Sequence, residues 1–81
     1  MNNSTVKEIL EKHFINDEVK VTGDGYHYLI VIISDVFNNL SKVKRTQKVY
    51  QALGEQIQSG EVHALTVKAF TSQEWSNKSN G

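Results

Sequence analysis

The run Leu29-Ile30-Val31-Ile32-Ile33 is apolar on both parities, and nothing else in the sequence narrows the fold as much. A strand with no polar face is normally buried on both sides and has neighbours along both edges. The run therefore predicts a central strand, in a chain of only 81 residues. That length holds one domain with a small core, and leaves no room for a deep catalytic cleft. The apolar stretch, residues 28–33, is far below the roughly 20 residues of a membrane span. The opening Met-Asn-Asn-Ser-Thr has neither a basic n-region nor an apolar h-region. The expectation is a soluble cytoplasmic protein.

The remaining elements group around that strand. Val6, Ile9, Leu10, His13 and Phe14 follow the spacing of a helix with one buried stripe. Thr5 and Glu8 fit a capping box, so the first helix is predicted over Val6 to Phe14. Glu18 to Thr22 alternates with period two and reads as an edge strand. Gly23-Asp24-Gly25 is a turn, and Tyr26 to Ile33 is the returning strand of an antiparallel hairpin. Phe37 and Leu40 pin a connector. A second helix is predicted from an N-cap at Ser41 to about Gln58, with Val43, Thr46, Tyr50, Leu53 and Ile57 on its buried face. Lys44, Arg45 and Lys48 fall on the opposite face. Gly54 weakens its second half, and Ser59-Gly60 stops it. Val62 to Phe70 reads as the third strand. Thr71 and Glu74 form another capping box, opening a last helix anchored by Trp75. Residues 76–81 are polar and expected to be a disordered tail, which leaves a single domain over residues 1–75.

The order is α-β-β-α-β-α, an α+β arrangement. Strand 2, helix 2 and strand 3 form a right-handed crossover that sets the two strands parallel. The prediction is a three-stranded mixed sheet of order 1-2-3, with the helices covering one face.

Chemistry-bearing motifs are few. With no Cys, disulfides and thiolate chemistry are excluded. No nucleophile elbow, phosphate loop, dinucleotide turn or zincin helix is present, so no hydrolase or transferase activity is expected of the isolated chain. Two clusters remain. His27 and His63, each second in its strand, would start at one edge of the sheet if the strands are parallel, with Asp24 on the adjoining turn. Two imidazoles and a carboxylate there make a borderline metal site. The same spacing also fits two solvated strand-end residues. The second cluster is Lys42, Lys44, Arg45 and Lys48, which fits a phosphate-contacting helix face or an ordinary solvated one. Nine basic residues balance nine acidic ones, which argues for weak, salt-sensitive nucleic-acid binding at most.

Taken in order, the separated motifs resemble the BolA family, and most of all its short bacterial IbaG-like branch. They are Val21-Thr22-Gly23-Asp24-Gly25 with His27, Ile33-Ser34-Asp35 with Phe37, Arg45 ahead of Val49-Tyr50, Val62-His63-Ala64-Leu65, and Phe70-Thr71 with Glu74-Trp75. The resemblance spans about residues 5–75. It implies a class II KH-like fold and a protein partner, a monothiol glutaredoxin, with which BolA-like proteins share a [2Fe-2S] cluster. The glutaredoxin supplies its Cys and a bound glutathione. This chain would supply His63, with a second ligand from the turn, either His27 or Asp24, the latter standing where some branches carry Cys. The isolated chain is then expected to be a monomer with no cofactor of its own. The family's Phe-x-Gly connector is Phe37-Asn38-Asn39 here, and its Arg-His pair on helix 2 is Arg45-Thr46. The family also implies a rival function, a nucleic-acid-binding regulator of stress responses using helix 2 and its basic residues.

Overall fold

The structure is a computed structural model that describes residues 2–80, with side chains as far as Lys78. Its elements are α1 (Asn3–His13), β1 (Glu18–Gly23), β2 (His27–Ile33), a 3-10 turn (Asp35–Phe37), α2 (Lys42–Ala52), α3 (Gly54–Gln58), β3 (Ala64–Phe70) and α4 (Ser72–Asn80). The α+β order and the sheet order β1-β2-β3 agree with the sequence reading. β1 and β2 are antiparallel, with Val19 opposite Ile32, and β2 and β3 are parallel, with Ile30 opposite Val67.

The double-sided apolar strand is the reason the core sits where it does. Tyr28, Ile30 and Ile32 turn toward α1 and α2 and are fully buried with Val6, Leu10, Phe37, Val49 and Leu53. On the other face Ile33 is buried, whereas Leu29 remains 37% exposed. Burying both sides of β2 is thus completed at its carboxyl end only.

That end is covered by α4, and here the expectation of helices on a single face is corrected. The Trp75 ring packs 5.3 Å from Phe70 and 5.1 Å from Lys20 Nζ. Lys20 alternates with the buried Val19 along β1, so it lies on the face away from α1. The capping box is present: the Glu74 N–H donates to Thr71 Oγ1 (3.1 Å) and the Thr71 N–H to Glu74 Oε1 (2.8 Å). The helix it starts runs to Asn80, so most of the segment expected to be a disordered tail is helical; Gly81 lies outside the described residues.

Three further boundaries move. α1 is capped by Asn2, not Thr5: Asn2 Oδ1 accepts the Thr5 N–H (2.9 Å) and the Thr5 hydroxyl (3.0 Å). Asn caps at least as well as Thr, and the earlier start adds a turn of helix. The single second helix is broken at Leu53, whose φ of −106° and ψ of 17° leave the helical region. Gly54 resists helix continuation, and the break lets Leu53 bury fully. The buried face of α2 is also rotated from the expected one. Val43 and Tyr50 are exposed, at 67% and 42%, while Val49 is buried and Arg45 is half-buried.

Candidate metal edge and basic helix

The turn between β1 and β2 is built by Asp24. Its Oδ1 accepts the backbone N–H of Tyr26 and of His27, each at 2.9 Å. These bonds, the His27 N–H foremost, hold the Asp24 carboxyl below its usual range, and the nearby His27 imidazole adds to the effect. Gly25 takes φ of +96°, which the tight turn requires and an L side chain rarely adopts. The Asp24 N–H closes the turn on the His27 carbonyl (3.3 Å). The backbone of His27 is therefore held by a carboxylate and a ladder, while its side chain stays exposed.

His63 stands immediately before β3. Its neighbours fix it: the Val62 N–H donates to the Gln56 carbonyl, and the Ala64 N–H to the Tyr26 carbonyl, both at 3.1 Å. Val62 is buried at 2% exposure, so the segment is anchored on the core side. The imidazole is exposed and packs against Tyr26, ring centroids 5.6 Å apart and tilted by 37°.

The two strand starts do share one edge of the sheet, as expected, but the register differs by one residue. His27 lies opposite Ala64, so His63 comes level with Tyr26. His63 precedes the strand, and Val62 before it is buried in the core although it shares the parity of Ala64. Strict alternation therefore does not extend past Ala64, and the ring contact with Tyr26 is what locates the imidazole. His27 lines a shallow groove of about 380 Å³ with Thr22, Leu29, Thr66 and Lys68 on the face away from α1. Among the described residues, no group of three or more His, Cys, Asp or Glu is arranged to hold a metal ion. Tyr26 is the residue that the sequence reading left out; a one-residue shift of the β3 start would have found it.

The basic cluster divides. Lys42, Lys44 and Lys48 are exposed. Arg45 is instead an internal clamp whose side chain is only 12% exposed. Its Nε donates to the Leu40 carbonyl (2.9 Å) and its Nη1 to the Ala69 carbonyl (3.1 Å) and to Glu74 Oε1 (2.7 Å). Nη2 donates to Glu74 Oε2 (3.2 Å). The guanidinium thus joins the connector, β3 and α4, and does not belong to the solvated basic face on which its spacing had set it. Arg45 also holds the Glu74 carboxyl down, from 4.5 to about 2.

A family model described as BolA-like protein matches residues 3–74. Acid stress protein IbaG of Escherichia coli (strain K12) is 36% identical over 83 residues, covering 100% of this chain and 99% of that protein. DNA-binding transcriptional regulator BolA of Haemophilus influenzae is 42% identical over 53 residues, covering 65% of this chain and 50% of that protein. Among solved structures, a bolA protein homologue from Coxiella burnetii superposes with a TM-score of 0.83 at 30% identity, covering 94% of this chain and 97% of the other. With the family model matching residues 3–74, a full-length relative at 36% identity and the shared α+β fold, the chain belongs to the BolA-like protein family.

Proposed function

We propose that this chain is a cytoplasmic partner of monothiol glutaredoxins. It completes a shared [2Fe-2S] cluster through His63, in iron–sulfur trafficking or in sensing iron or stress. It catalyses no reaction of its own. The observation that carries the reading is the setting of His63: an exposed imidazole on a segment tied to the core by Val62 and to β2 by Ala64. Such a side chain offers a nitrogen donor to a second protein without local refolding, and neutral imidazole suits iron. The chain has no Cys, so every thiolate must come from the glutaredoxin and its glutathione.

His27 is the first choice for a second ligand and Asp24 the second. The ranking follows from the turn, where Asp24 Oδ1 is already spent on two N–H groups while the His27 ring is exposed. His27 lies opposite Ala64, so His63 stands one residue before it along the shared edge, and the partner supplies whatever position His27 does not reach. The cluster, when bound, supplies redox and iron chemistry; His63 anchors it, and Asp24 sets the pose of His27.

The test is anaerobic reconstitution of the chain with a monothiol glutaredoxin, glutathione, iron and sulfide, read by visible circular dichroism. His63→Ala should abolish the heteromeric cluster signal while far-ultraviolet dichroism stays unchanged. His27→Ala should weaken the signal or alter its shape, and Asp24→Cys should strengthen it. A normal cluster from folded His63→Ala would remove this reading. It would favour a nucleic-acid-binding regulator, which the name of the Haemophilus relative supports and for which Lys42, Lys44 and Lys48 remain exposed.

A further inference from the structure

In the order β1-β2-β3 the third strand is an edge, and its bonds show which side is free. The Ala64 N–H donates to the Tyr26 carbonyl (3.1 Å), and the Phe70 carbonyl accepts from the Ser34 N–H (2.9 Å). Backbone groups alternate in direction along an edge strand. Ala64, Thr66, Lys68 and Phe70 therefore turn theirs to β2, and Leu65, Val67 and Ala69 turn theirs outward. The Ala69 carbonyl is accordingly the one that Arg45 reaches. Beyond that bond, the outward groups of Leu65 and Val67 have no partner among the described residues.

A groove of about 280 Å³ follows this edge, with Val67 to Phe70 as one wall and Lys42 of α2 and Lys78 of α4 at its rim. Lys68 lies on the strand itself. None of the three lysines is ion-paired among the described residues, and Glu74 on α4 is committed to Arg45. Unpaired strand groups beside uncompensated positive charge match an extended chain that carries negative side chains.

We propose that the free edge of β3 binds an extended acidic segment of a partner protein by strand addition. The segment's backbone pairs with Leu65 and Val67, and its carboxylates face Lys42, Lys68 and Lys78. A second copy of this chain fits poorly, because edge-to-edge pairing would bring the lysines of both grooves together. Single-stranded nucleic acid meets the charge but finds no open ring to stack on. Phe70 is covered by Trp75 at 5.3 Å and by Lys78 Nζ at 5.5 Å. Lys68 also borders the His27 groove, but Leu65, Val67, Lys42 and Lys78 do not. Neither His63, His27 nor Asp24 lines this edge groove, so the peptide titration is read without any glutaredoxin or cluster.

The experiment is a titration of the isotope-labelled full chain, followed by amide NMR. The probe is the blocked peptide Glu-Val-Glu-Val-Glu. Amide shifts are expected at Leu65, Val67 and Ala69, strongest at low salt. The same peptide with every backbone amide N-methylated keeps its charge, loses its donors, and should bind at least roughly tenfold more weakly. Combining Lys42→Glu, Lys68→Glu and Lys78→Glu should lose the acidic peptide and take up Lys-Val-Lys-Val-Lys instead. If that variant does not fold, Lys68→Glu alone, with the methylated comparison, carries the test. The proposal is overturned by absence of edge shifts at millimolar peptide, by equal binding of the methylated peptide, or by a short oligothymidylate that occupies the same edge more tightly.

Discussion

Arg45 grips both carboxylate oxygens of Glu74, at 2.7 Å and 3.2 Å, although the two residues lie 29 positions apart. The same guanidinium donates to the carbonyls of Leu40 and Ala69. One side chain therefore ties α2 to the connector, to the end of β3 and to the first turn of α4. Lys has no planar fork and cannot span these acceptors. Arg45→Lys should lower stability by about 1–3 kcal/mol from the two carbonyl bonds alone. Urea denaturation should show a lower midpoint with an unchanged slope.

Glu74 makes the clamp pH-dependent in a stated direction. Its carboxyl is depressed from 4.5 to about 2 in the folded chain. A depressed carboxyl contributes stability that is fully present above the unfolded value and is lost as pH falls through the folded one. The stability gap between the natural chain and Glu74→Gln should therefore be flat above about pH 5. It should close between 4.5 and about 2. A gap that persists undiminished at the acid end would mean that Glu74 acts by packing alone.

Gly23 sits where a methyl group does not fit. A Cβ there would lie 2.3 Å from the His27 carbonyl oxygen, a backbone atom with no freedom to withdraw. Gly23→Ala should cost about 1–3 kcal/mol and shift the amide resonances of Asp24 to Tyr28. Gly54 has open space around the same position, so Gly54→Ala should be neutral or stabilise by up to about 1 kcal/mol. Thermal melts of the two variants, run side by side, separate close approach from backbone entropy.

Leu53 is fully buried at the junction of α2 and α3. Leu53→Ala should destabilise the fold by about 2–5 kcal/mol. Tyr50→Ala, one turn away but 42% exposed, should cost much less. Equal losses from the two would restore the helix face expected from the sequence.

That last contrast shows how far the chain could be read in advance. Ile30 and Ile32 announce a central strand because apolar residues on both parities have few other places to go. The sheet order follows from them and from the crossover. The orientation of helix 2 was not legible, because counting apolar residues favours Val43 and Tyr50 and treats Arg45 as solvated. What decides the rotation is a guanidinium satisfied by two carbonyls and a carboxylate, and those partners are distant in sequence. Trp75 gave the existence of the last helix but not its face, since a terminal helix is free to pack on either side of an uncovered sheet. At the candidate metal edge, the residues were identified but their register was not. A one-residue difference in where β3 begins exchanges Ala64 for His63 opposite His27.

The contact between Tyr26 and His63 joins two parts of the chain that arise on different schedules. Tyr26 ends a hairpin turn that closes over a few residues, a microsecond event in isolated peptides. His63 arrives only after residues 34–63 have crossed back over the sheet, and long-range closure of that kind is the slow part of folding. A chain emerging from the ribosome thus displays Tyr26 and His27 before His63 exists in any fixed position. The 5.6 Å ring contact therefore forms only once the crossover is complete, which makes it a marker of finished folding at this end of the sheet.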